Sequence, residues 1–113
     1  QSAPAIEQLN LIELETGKTP EISLTKHDLY NSINKPADAN KEIESLLIEY
    51  PGNEEIRVTI LDYYLQTNQI EKAANMAQEI LVINPKNGNA HLGLADVEIR
   101  KNHIDKHLII GWA

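Results

Sequence analysis

The stretch YPGNEEIRVTILDYYLQTNQIEKA, Tyr50 to Ala73, decides the fold, because NPKNGNAHLGLADVEIRKNHIDKH, Asn84 to His107, follows it with the same order of residue classes. Displaced by 34 residues (85 minus 51), Pro51 falls on Pro85, Asn53 on Asn87, Ile60 on Leu94, Asp62 on Asp96, Leu65 on Ile99, Asn68 on Asn102 and Ile70 on Ile104. One further step back pairs Asp28 with Asp62, Tyr30 with Tyr64, Asn34 with Asn68, Ala39 with Ala73 and Leu46 with Ile80. Ala5, Leu9 and Ile12 fall in turn on Ala39, Ile43 and Leu46. A fixed period of roughly 20 to 50 residues is the sequence signature of stacked repeats.

Within one unit the signals are helical. Ile56, Ile60, Leu61, Tyr64 and Leu65 recur at steps of three and four from Glu54 to Gln66, the spacing of one helix face. Asn53 is a good N-cap, and the two glutamates after it favour a helix N-terminus. Thr67, Asn68 and Gln69 form a short polar turn. Ile70, Ala73, Ala77, Ile80 and Leu81 then define a second amphipathic stripe that ends before Asn84-Pro85, since proline cannot continue a helix. Two helices joined by so short a turn pack antiparallel, and the small Ala73 and Ala77 allow close approach. The glycines at 17, 52 and 88 read as turns between units, and Gly93 as a close-packing position inside a helix. The stretch Leu9 to Glu15 alternates almost as a strand would, but the register of Ala5, Leu9 and Ile12 favours helix.

A helix-turn-helix unit of this length and pattern resembles the tetratricopeptide repeat. Over 54–87, the family's large, Leu, small, aromatic, Ala, bulky, Ala and Pro positions fall on Arg57, Ile60, Leu61, Tyr64, Ala73, Ala77, Ile80 and Pro85. Arg57 stands for the usual Trp and Leu61 for the usual small residue, which implies looser packing there. In the unit 20–53, Tyr30, Ala39, Leu46 and Pro51 fit, while Lys26 and His27 stand where Leu and a small residue belong. In the unit 88–113, Leu94, Ala95 and Ile104 fit, and His91, Glu98 and His107 depart. The resemblance implies an all-α fold: a right-handed superhelix of antiparallel helix pairs, a tetratricopeptide-like α-solenoid of about three repeats in one domain, 1–113. Residues 1–19 would be an N-terminal half-repeat or capping helix, 20–53 a degenerate repeat, 54–87 the best-formed repeat and 88–113 a truncated one.

The resemblance also implies a function, that of a non-catalytic scaffold for protein-protein interaction. Its contact positions lie on the first helix of each unit: Glu21, Leu24, Asp28 and Asn31 in the first, then Glu55, Val58, Asp62 and Leu65, then Asn89, Leu92, Asp96 and Ile99. Apolar residues and a row of aspartates would make a mildly acidic groove suited to a peptide or partner protein carrying Lys or Arg. Arg100 would offset part of that charge. The family's grip on a C-terminal carboxylate needs Lys, Arg and Asn in this groove, and Asp62 and Asp96 speak against it. Tyr63 and Tyr64 are a further candidate contact, with Tyr64 expected in the core.

Composition narrows the alternatives. The chain has 113 residues, 17 acidic against 10 basic, and a net charge of −7, which repels nucleic-acid backbones. Its apolar share comes from Ile, Leu and Ala, with no Phe, one Trp and four Tyr. Absence of cysteine rules out disulfides, thiolate metal sites and a Cys nucleophile. No run is long and apolar enough for membrane insertion.

His103 and His107 are spaced to share a helix face, with Asp105 between them in sequence, making them weak candidates for a metal, but no glutamate stands at the metalloprotease position and no third ligand is evident. The expectation is therefore no enzyme, no catalytic residue, no metal and no cofactor. The alternative is a ligand- or metal-binding accessory module of a larger enzyme or regulator. Ile104, Leu108, Ile109, Ile110 and Trp112 leave an apolar C-terminal end, which predicts a fragment of a longer protein or self-association through that end. The Asn-, Ile- and Lys-rich composition, without Cys and without an initial Met, suits an exported bacterial envelope or periplasmic protein slightly better than a cytoplasmic one.

Overall fold

The computed structural model describes residues 2–102, with side chains from Pro4 onward. Six helices occupy them: α1 (Ser2–Thr16), α2 (Pro20–Ser32), α3 (Pro36–Glu49), α4 (Glu54–Gln66), α5 (Ile70–Ile83) and α6 (Gly88–Lys101). Among the described residues there is no strand, and Leu9 to Glu15 is helical. The apolar residues from Ile104 to Trp112, on which self-association was expected, lie outside the described residues.

The period is written into the backbone. Thr19 Oγ1 accepts a hydrogen bond from Ile22 N at 3.3 Å, Asn53 Oδ1 from Ile56 N at 2.9 Å and Asn87 Oδ1 from Ala90 N at 2.9 Å. Three caps one period apart thus start α2, α4 and α6, each satisfying an amide that helix geometry would otherwise orphan. The turns repeat as well. Asn34 and Asn68 sit in the left-handed region at φ of 63° and 60°, which asparagine tolerates better than most residues. After each of them, Lys35 N donates to Tyr30 O and Gln69 N to Tyr64 O, both at 2.8 Å. Gly17 and Gly52 take positive φ at the ends of α1 and α3, as their turn assignment requires. Gly88 differs from expectation: it is the first residue of α6, because Asn87 caps ahead of it. Asn53→Ala and Asn87→Ala are each expected to lower stability by about 1 kcal/mol, and Asn→Asp at either site to be nearly neutral, as measured by urea denaturation.

The chain divides into two compact units, Gln1–Ile56 and Arg57–Ala113, with the division inside α4. In the first, α2 packs against both α1 and α3. Ile6, Ala39, Ile43 and Leu46 form its apolar core, together with the buried polar residues Ser23, Lys26 and His27. Of the three α1 residues placed in the core register, Leu9 is half-buried while Ala5 and Ile12 are exposed. Among the described side chains of α1, the buried one is Ile6.

In the second unit, α4 and α5 form a hairpin in which the start of one meets the end of the other. Arg57 Nε lies 3.5 Å from Glu79 Oε1, and Lys72 Nζ lies 5.9 Å from the Tyr64 ring centre. Ile60, Leu61, Tyr64, Ala73, Met76, Ala77, Ile80, Ala90 and Val97 are buried here. α5 also packs on α6. α4 and α6 run parallel: a Cβ built on Gly93 would come within 2.9 Å of Leu61 Cδ2, and Arg100 Nη1 donates to Leu65 O at 2.7 Å. The large Leu61 expected to loosen the packing is thus seated where α6 has no side chain at all.

Candidate functional site

The helix face proposed for partner contact can be followed residue by residue in the second unit. On α4, Val58 and Leu65 are half-buried and Asp62 is exposed, with Glu55 exposed at the start of the helix. On α6, Asn89, Leu92 and Ile99 are exposed, Leu92 by 70% and Ile99 by 54%. Leu92, Asp96 and Ile99 follow steps of four and three, so they share one side of α6, away from its buried Ala90, Gly93 and Val97. These two exposed aliphatics, Leu92 and Ile99, are the apolar part of that face.

The charge of that face is smaller than the sequence suggested. Arg100 Nε donates to Asp96 Oδ1 at 2.9 Å and its Nη2 to Asp96 Oδ2 at 3.2 Å, a two-pronged grip on the carboxylate. The remaining prong reaches Leu65 O. One arginine therefore neutralises Asp96 and ties α6 to the last turn of α4, so Asp96 is structural as well as superficial. Within the second unit Asp62 is left as the exposed acid of the α4–α6 face, beside an apolar strip, and Glu55 stays exposed at the start of α4. Tyr64 is buried, with its ring 5.9 Å from that of half-buried Tyr63. Burial raises the Tyr64 phenol above its ordinary pKa, and the negative Glu79 adds to the rise.

The first unit holds a cluster the sequence did not announce. Lys18 Nζ lies 3.3 Å from Glu13 Oε2 and 3.2 Å from Glu42 Oε1, and Lys26 Nζ lies 3.1 Å from Glu13 Oε1 and 3.1 Å from Glu42 Oε2. Each lysine meets both carboxylates and each carboxylate meets both lysines, so the four charges close a ring joining α1, the following turn, α2 and α3. Burial pulls the Lys26 ammonium towards its neutral form, but hydrogen bonds and charge from Glu42 and Glu13 outweigh it, and its pKa stands above the usual lysine value.

His27 is buried beside this ring. Its Nδ1 donates to Ala39 O at 2.8 Å, and its Nε2 accepts from Asn31 Nδ2 at 3.2 Å. A carbonyl can only accept, so the proton sits on Nδ1. Lys26 and His27, which departed from the repeat pattern, are thus the polar core of α2. His91 is exposed, with its Nε2 bonded to Pro85 O at 2.8 Å. His103 and His107 lie outside the described residues. Among the described residues, no three His, Cys, Asp or Glu come together as a metal-binding group, and no helix is long and apolar enough to cross a membrane.

No protein-family model, curated protein or solved structure matches this chain.

Proposed function

We propose that the chain is a tetratricopeptide-type interaction module without catalysis, and that it binds a partner peptide along α4 and α6. The observation that carries this reading is the parallel seating of those helices, Leu61 on Gly93 and Arg100 on Leu65 O, beside exposed Leu92, Ile99 and Asp62. The caps at Thr19, Asn53 and Asn87 and the turns at Asn34 and Asn68 support the repeat assignment, because their hydrogen bonds recur with the period of the sequence.

The partner is a segment with apolar side chains for Leu92 and Ile99 and a Lys or Arg for Asp62. Contacts of this kind draw specificity from the charge and most of their affinity from the buried aliphatic anchors. A peptide-array screen tests this. Leu92→Asp is expected to weaken binding by about tenfold or more, and Asp62→Lys to shift the selected peptides from basic to acidic. Asp62 is the cleaner choice over Asp96, whose replacement would also release Arg100. Wild-type peptide selection by both variants would remove the α4–α6 face from consideration.

A further inference from the structure

α1 is built inside out. Among its described side chains only Ile6 is buried, Leu9 and Glu13 are half-buried, and Leu11, Ile12 and Leu14 are 57%, 47% and 83% exposed. A helix docked by the hydrophobic effect turns such residues inward. The C-terminal half of this one is instead held by a carboxylate, since Glu13 divides its two oxygens between Lys26 and Lys18. The side chains around the ring are mostly buried, from 5% exposed at Lys26 to 19% at Lys18.

Two features bear on how α1 would leave. At its end Gly17 has φ of +82° and nothing within 4 Å of where a Cβ would stand, so the backbone there is both permissive and unobstructed. One residue later the chain is pinned, because Tyr50 Oη donates to Lys18 O at 2.7 Å. Rotation about Gly17 therefore moves α1 and leaves the start of α2 fixed to the end of α3. Lys26, which meets Glu13 of α1, is 4% exposed, and one turn earlier on α2 Ser23 is 0% exposed with no hydrogen-bond partner for its Oγ. Water admitted where Glu13 leaves would solvate the Lys26 ammonium. That gain offsets part of the loss of two ion pairs.

We propose that α1 is a hinged latch, locked through Glu13 on Lys18 and Lys26, which swings open about Gly17 while α2 and α3 stay folded and uncovers the polar face of α2. The latch lies wholly in the first unit and is independent of the peptide face on α4 and α6.

Segment-resolved hydrogen exchange of the full chain tests it. In Glu13→Gln, α1 amides are expected to exchange about tenfold or more faster, while those of α2, α3 and α5 stay within about twofold of wild type. Leu14→Ala, a change on the exposed side of the same helix, should leave α1 at its wild-type rate. Equal acceleration of α1, α2 and α3 in Glu13→Gln would point to whole-unit unfolding. In that case Lys18→Gln, which keeps the Glu13–Lys26 pair, must still accelerate α1 selectively, or the latch is wrong. Unchanged α1 exchange in both variants also overturns it.

Discussion

Exchanging the buried charges of the first unit for their counterparts one period later, Glu13→Leu, Lys26→Ile and Glu42→Met, is expected to leave the protein as stable as wild type or more so. The counterparts are read from the sequence itself, 34 residues later: Leu47 on α3 of the same unit, and Ile60 and Met76 on α4 and α5 of the second. Ile60 is 0% and Met76 4% exposed, so the same helix-pair geometry accepts an apolar core. Lys26 alone changed to Ile is expected to cost about 3–5 kcal/mol, because Glu13 and Glu42 would be left sharing Lys18. The triple exchange removes both carboxylates with it and is expected to change stability by about 0 to +4 kcal/mol, the range for apolar replacement of a whole buried ion group. Lys18, the most exposed member of the ring, can turn its ammonium to water on its long stem. Urea denaturation of the three proteins, wild type, Lys26→Ile and the triple variant, decides the matter. A triple variant as unstable as Lys26→Ile would mean that the ring is a net stabiliser.

The second large effect is expected where α4 meets α6. Leu61 is fully buried, and Gly93 leaves the space its methyl groups fill. Leu61→Ala is expected to cost about 2–5 kcal/mol through lost burial and the cavity left behind. Gly93→Val drives a branched side chain into Leu61 and is expected to cost about 1–3 kcal/mol by overpacking. Combined, the two should cost less than their sum by about 0.5–3 kcal/mol, since valine refills the space that alanine vacates. Simple additivity in denaturation would show that the two positions do not share that space.

The helices and their joints were legible in the sequence because their causes are local. Asn53 and Asn87 cap from three residues away, and the polar turns end each first helix within a few positions. The parts that were not legible depend on distant residues converging. Nothing near Lys26 shows that Glu13 and Glu42, on two other helices, will meet its ammonium, so a lysine on the core face read as a defect in the repeat. His27 is similar, for its acceptor is a backbone carbonyl at Ala39. Arg100 was partly legible: its four-residue spacing to Asp96 is visible, but its reach to Leu65 O is not. In the candidate face, the aliphatic positions Leu92 and Ile99 were readable from spacing alone, whereas the neutralisation of Asp96 needed side-chain geometry.

The recurring caps and turns also bear on how quickly the chain finds its structure. Each helix pair carries its own start and stop residues, and even the long ties within a unit are short in sequence, 32 residues from Tyr50 to Lys18 and 35 from Arg100 to Leu65. Contacts of that range close small loops, and chains dominated by them fold in roughly microseconds to milliseconds. A pair such as α4–α5 has all its joint residues in hand once about 30 residues have emerged from a ribosome, so it can form before the next pair has been made.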